Sequence, residues 1–179
     1  MGLDSVEIIV CWEESLGISI SDELASGMMT PNDSINCLMG RVRVRDGKAP
    51  CLAQQAFHRI RNILVNEFAV SRGRIRPGSK FSQLFPKKGQ RQSWKRFGEA
   101  LNVERLSATL GWPLFGPGGT TIQDVVIETV ARGAIALNDP GGVWTRSQLR
   151  EIVRSSVTFV TGVKDFSDDD HYVKEIGID

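Results

Sequence analysis

Apolar positions along this chain recur with the period of a helix rather than of a strand. Asp4 and Glu7 stand at capping-box spacing, Val6, Ile9, Val10 and Leu16 lie near one face, and Gly17 is the expected stop. "ISISDEL" reads as a loop and a brief helical turn. Thr30 followed by Pro31 predicts the cap and first position of another helix. From about Leu52 to Phe68 the stripe is Phe57, Ile60, Ile63, Leu64 and Phe68. Helices are also expected from about Ser93 to Leu106 and over "TTIQDVVIETVARG", which ends at Gly133 and has Thr120 or Thr121 as its cap. Thr145 caps a last helix with Leu149, Ile152, Val153, Val157 and Val160 on one side. "RVRVRDGKAP" and "NDPGGVWT" read as linkers, "AVSRGRIRPGSKFSQLFPKKGQ" and the last 18 residues as loops, and "GWPLFGPGGT" as a rigid turn. No strand pattern of any length emerges, so the expected class is all-α.

Charge divides the chain more sharply than its net +1 suggests. Residues 1–40 hold seven acids and no Lys or Arg, residues 41–138 hold 17 bases and 6 acids, and residues 139–179 hold 5 bases and 8 acids. Two acidic ends flank a basic middle, which suggests that the ends belong together. With no run of 18 apolar residues, nothing is expected to span a membrane. The acidic start leads no apolar h-region, so no signal peptide is expected. The three cysteines, Cys11, Cys37 and Cys51, are an odd number without CxxC spacing and fit a reducing cytoplasm, and Cys11, among Ile8, Ile9, Val10 and Trp12, reads as a small buried thiol.

Self-comparison shows two copies of one pattern. Apolar anchors at Ile75, Phe81 and Phe85 have the spacing of Phe166, Tyr172 and Ile176, and Thr30…Ile35 matches Thr120…Val125. One copy is contiguous over 52–133. The other is split between 145–179 and 1–40, with linkers at 41–51 and 134–144. The closing Gly177-Ile178-Asp179 would run smoothly into Ser5-Val6-Glu7.

"GLDSVEIIVCWEESLGISISDEL" resembles the acyl carrier proteins and peptidyl carrier domains, whose motif is Asp-Ser and an apolar residue opening an acidic helix. "FSDDDHYVKEIGID" is similar to the loop that precedes that serine in the family. The likeness covers about 75 residues well and the middle copy weakly. It implies two four-helix carrier-like bundles, one assembled from both ends, by circular permutation or as part of a longer array of carriers. It also implies 4′-phosphopantetheine on Ser5, helped by Asp4, with a thioester-linked acyl or peptidyl group on its thiol. A phosphopantetheinyl transferase and acyl-transferring enzymes would be the partners, for fatty-acid, polyketide or related synthesis. Glu7, Glu13 and Glu14 would form a docking face. Val6 departs from the family's more usual Leu.

The plainer alternative is that Ser5 only caps a helix and the protein is an unmodified interaction scaffold. In the middle copy Ser93 matches Ser5 but follows Gln92, and Lys87, Lys88, Arg91, Lys95 and Arg96 replace the acidic face. Modification is not expected at Ser93. Those bases would dock on the acidic half or another anion, and an end-swapped homodimer is open. Nucleic acid is the less favoured partner, since no recognised motif is present and the whole chain is near neutral, although a basic helix bearing Trp94 and Phe97 could follow a phosphate backbone. His58 and His171 lack ligand spacing for a metal, and "GPGG" at 116–119 lacks the Lys-Ser/Thr of a P-loop. No nucleophile–base pair is visible, so an enzyme is not expected.

Overall fold

The computed structural model describes residues 2–102, 119–138 and 142–178. They are mostly helical: α1 (Leu3–Leu16), α2 (Asp22–Ala25), α3 (Pro31–Met39), α4 (Leu52–Phe68), α5 (Phe81–Leu84), α6 (Gln90–Leu101), α7 (Ile122–Gly133) and α8 (Arg146–Thr161). Single 3-10 turns cover Arg72–Arg74 and Ala134–Ala136, and one π-turn covers Tyr172–Ile176. The expected continuation of α6 through residues 103–106, and the turn at 111–118, lie outside the described residues.

Met1–Leu52 and Val130–Asp179 make one compact unit, and Ala53–Thr129 a second. In the first unit α8 packs on both α1 and α3. Its core combines Ile8, Cys11 and Trp12 with Ile35, Leu38, Leu149, Ile152, Val153 and Val157. Burying each aliphatic side chain of this set is worth roughly 1.5–3 kcal/mol, so the distant segments hold each other. The second unit has an aromatic centre. Phe81 lies 4.9 Å from both Trp94 and Phe97, and Phe68 lies 5.0 Å from Phe85, centroid to centroid.

Most helix ends follow local chemistry. Thr30 and Asp33 form a reciprocal capping box with Pro31 at the first position, and Thr145 and Gln148 form another. Gly17 ends α1 at φ +65°, where a Cβ would also meet Ile135 Cδ1 at 3.2 Å. Thr121, not Thr120, caps α7, by exchanging bonds with Asp124.

Four expectations need correction. Gly2, not Asp4, is the N-cap of α1, and Ser5 Oγ donates to the Gly2 carbonyl at 2.9 Å. The buried stripe of α1 is Ile8, Cys11, Trp12, Ser15 and Leu16, while Val6 is exposed and Ile9 and Val10 are half-buried. Ser15 belongs inside because its hydroxyl donates to the carbonyls of Ala131 at 2.5 Å and Val130 at 3.2 Å. The linkers are not wholly irregular: β1 (Arg43–Val44) and β2 (Val143–Trp144) pair in parallel, Arg43 with Val143 and Val44 with Trp144. Finally, the supposed loop after α4 contains α5, because Phe81 and Leu84 share a buried face.

The two units use matching backbone bonds. Tyr172 N donates to Met29 O and Asn32 N to Asp168 O in the first. Phe81 N donates to Thr120 O and Gln123 N to Pro77 O in the second, at the same offset in numbering throughout. The Thr30–Asp33 and Thr121–Asp124 caps share that offset.

Candidate functional site

Ser5 lies in the first turn of α1, where main-chain N–H groups have no partner within the helix and the helix dipole favours negative charge. Asp4, half-buried in that turn, places its carboxylate at the pole that suits it.

The helix then turns Ser5, Ile8, Ile9 and Trp12 toward a cavity of about 260 Å³. Ala25, Ser26, Met28 and Met29 supply a second wall, and His171, Tyr172, Val173 and Ile178 the third. Its size is just below the roughly 300–1,000 Å³ common for ligand sites, so it suits a short apolar group. Trp12 is buried, and its indole Nε1 has no hydrogen-bond partner among the described residues. Met29 and Val173 of the lining are exposed and apolar, as are Leu3 and Val6 in the first turn of α1.

The third wall is held by specific bonds. The Tyr172 phenol and Ser34 hydroxyl are 2.9 Å apart, and Ile178 N donates to Tyr172 O at 2.9 Å. His171 Nδ1 accepts from Val173 N at 3.2 Å, opening the π-turn. Gly177, at φ +80°, closes it in the left-handed region where glycine carries no Cβ penalty. Upstream, Asp168 accepts from Arg150 and, at 2.8 Å, from Arg154, whose guanidinium also lies 4.1 Å from the Phe166 ring centroid. Burial pushes the Tyr172 phenol well above its usual range, against the smaller opposing effect of the Ser34 bond. Burial would raise Asp168 too, but hydrogen bonds from Arg150 and Arg154 outweigh it and hold the carboxyl below the ordinary value.

Of the residues singled out by sequence, Ser5 borders this cavity and Asp4 is its near neighbour in the turn. Glu7 is exposed on α1. Glu13 instead accepts from Ile20 N at 2.7 Å, fastening the loop after the helix. Glu14 takes both forks of Arg132, at 2.7 and 3.1 Å, so its charge is already engaged. Lys87, Lys88, Arg91, Lys95 and Arg96 are exposed in the second unit. Measured from the buried stripes, Trp94, Phe97, Gly98 and Leu101 of α6 stand where Ile8, Cys11, Trp12 and Ser15 stand in α1. That register matches Ser5 with Arg91 rather than Ser93.

Sequence reasoning missed Trp12, Met28, Met29 and His171 as parts of the site. The adjacent Met28-Met29 just before a capped helix was the one available signal. Among the described residues no group of His, Cys, Asp and Glu could hold a metal ion, and no helix is long and apolar enough to cross a membrane. Comparison with known proteins found no matching family model, no matching curated protein and no matching solved structure.

Proposed function

We propose that the unit built from both ends of the chain is an acyl or peptidyl carrier, with 4′-phosphopantetheine attached at Ser5. The observation that carries the reading is Ser5 itself: a half-buried primary hydroxyl in the first turn of a 14-residue helix, bordering an apolar cavity. Helix N-termini are favourable places for phosphate. In the attachment, an Oγ–P bond forms at Ser5 and the pyrophosphate P–O bond of coenzyme A breaks. Adenosine bisphosphate leaves, and the serine proton passes to the transferase. The terminal thiol of the arm would then hold the acyl group as a thioester for transfer by partner enzymes. Glu7 is the acid of the original three best placed to meet a basic partner. The matched backbone bonds support reading the second unit as a degenerate copy of the same bundle, with arginine in the serine's place.

The bond from Ser5 to the Gly2 carbonyl favours the rival reading, an unmodified scaffold in which the hydroxyl only finishes the helix. Intact-mass measurement after incubation with coenzyme A, magnesium and a broad-specificity phosphopantetheinyl transferase separates the two. One added phosphopantetheine is expected, abolished by Ser5→Ala, unaffected by Ser93→Ala, and reduced by deleting residues 165–179, which supply the third wall. A folded protein that gains no mass, beside an ordinary carrier that does, leaves the scaffold.

A further inference from the structure

We propose that the second unit has a separate function, binding the phosphate backbone of a nucleic-acid duplex without reading its sequence. From Phe68 to Gly98 the chain contains nine Lys and Arg and no Asp or Glu, and the whole unit has 12 bases against 5 acids. Arg72, Arg74, Arg76, Lys80, Lys87, Lys88, Arg91, Lys95 and Arg96 are all exposed. The two basic runs are fastened to one short helix, because the Arg74 side chain donates to Gln83 O and Gln90 Nε2 donates to Ser82 O at 2.9 Å.

Little among the described residues of the unit neutralises these charges. Lys95 and Arg96 meet Glu99 at 3.9 Å and Glu67 at 3.7 Å, in exposed pairs of small worth. Among the described residues no carboxylate pairs with Arg72, Arg76, Lys80, Lys87, Lys88 or Arg91. Lys87, Lys88 and Arg91 also crowd the positive pole of α6, whose start has no side-chain cap. Cations there are unfavourable for the helix, and a bound anion reverses the sign of that interaction.

The kind of anion follows from what this basic stretch lacks. Between residues 68 and 98, Phe81, Phe85, Trp94 and Phe97 are all buried, and the half-buried Phe68 already has the Arg96 guanidinium 5.5 Å from its ring centroid, so this stretch offers no open ring to stack an unpaired base. No large apolar side chain between residues 68 and 98 is exposed, so a protein partner would find no apolar anchor along this stretch. A duplex backbone requires only cations. The near-neutral charge of the whole chain does not oppose this, since a ligand meets the local field of the unit.

The test is fluorescence anisotropy of the full chain with labelled duplexes of two unrelated sequences. Both should bind equally. If six phosphates are engaged, affinity should fall on the order of 10³-fold between about 50 and 200 mM salt. The triple variant Lys87→Glu, Lys88→Glu, Arg91→Glu should lose at least about tenfold. A control of equal charge change in the first unit, Arg43→Glu, Lys164→Glu, Lys174→Glu, should stay within about twofold. Circular dichroism melting confirms that both variants fold. No binding at low salt, equal loss in the control, or tighter binding to anionic vesicles or an acidic polypeptide than to the duplex would overturn the proposal. None of these outcomes depends on Ser5.

Discussion

The phenol of Tyr172 and the hydroxyl of Ser34, 138 positions apart in the chain, meet at 2.9 Å in a buried contact. The bond fixes one wall of the Ser5 cavity to α3. Its two partners are unequal. Ser34 also reaches the Thr30 carbonyl at 3.2 Å, whereas Ser34 is the only hydrogen-bond partner of the phenol among the described residues. Tyr172→Phe should therefore cost only about 0.5–1.5 kcal/mol, while Ser34→Ala strands a buried phenol and should cost about 1–3 kcal/mol. Urea denaturation of the two variants gives the order. The reverse order would mean that the hydroxyls are not partners in solution.

Tyr172 is the protein's single tyrosine, so phenolate absorbance reads it alone. Its folded value lies above the ordinary 10.0, so the stability it contributes is complete below pH 10.0 and is lost as pH rises further. The absorbance should appear late and together with unfolding. Asp168 works in the opposite direction. Its folded value lies below 3.8, so its contribution is complete above that pH and is lost as pH falls through the lower folded value. Asp168→Asn should remove about 1 kcal/mol at neutral pH, a discount that reflects the half-exposed Arg150, and should flatten the acid limb of the stability curve.

Glu7 and Glu14 both sit on α1, yet they should respond differently to loss of charge. The Arg132 side chain is 8% exposed and held by Glu14, so Glu14→Ala leaves a nearly buried cation without that partner. About 2–3 kcal/mol should be lost, short of the roughly 3–5 for a fully buried pair. Glu7→Ala should change stability by no more than about 0.5 kcal/mol. A docking role for Glu7 would show as a slower, salt-sensitive encounter with a basic partner at unchanged stability.

Helix ends were the most legible part of the sequence. Thr30 with Asp33, Thr145 with Gln148, and Gly17 each act through neighbours within a few residues, so local spacing sufficed. The interior of α1 was less legible because its buried face includes Ser15, whose polarity is satisfied by carbonyls more than a hundred residues away. The same distance hid the β1–β2 pairing, since two-residue strands leave no alternation to read. Ser5 was legible through its neighbours Asp4 and Val6. The cavity beside it was not, because three separate stretches build its walls.

The packing of α8 on α1 and α3 sets an order of events during synthesis. When Met39 leaves the ribosome, Arg146 is still 107 residues away, about 5–20 s at about 5–20 residues per second. Through that interval the buried faces of Ile8, Trp12, Ile35 and Leu38 have no α8 to cover them. The second unit, contiguous in the chain, has all its elements earlier and can collapse first, which shortens the loop the ends must close. Of the eight helices described, the first to be made is thus among the last to be sheltered, and it is the helix that bears Ser5.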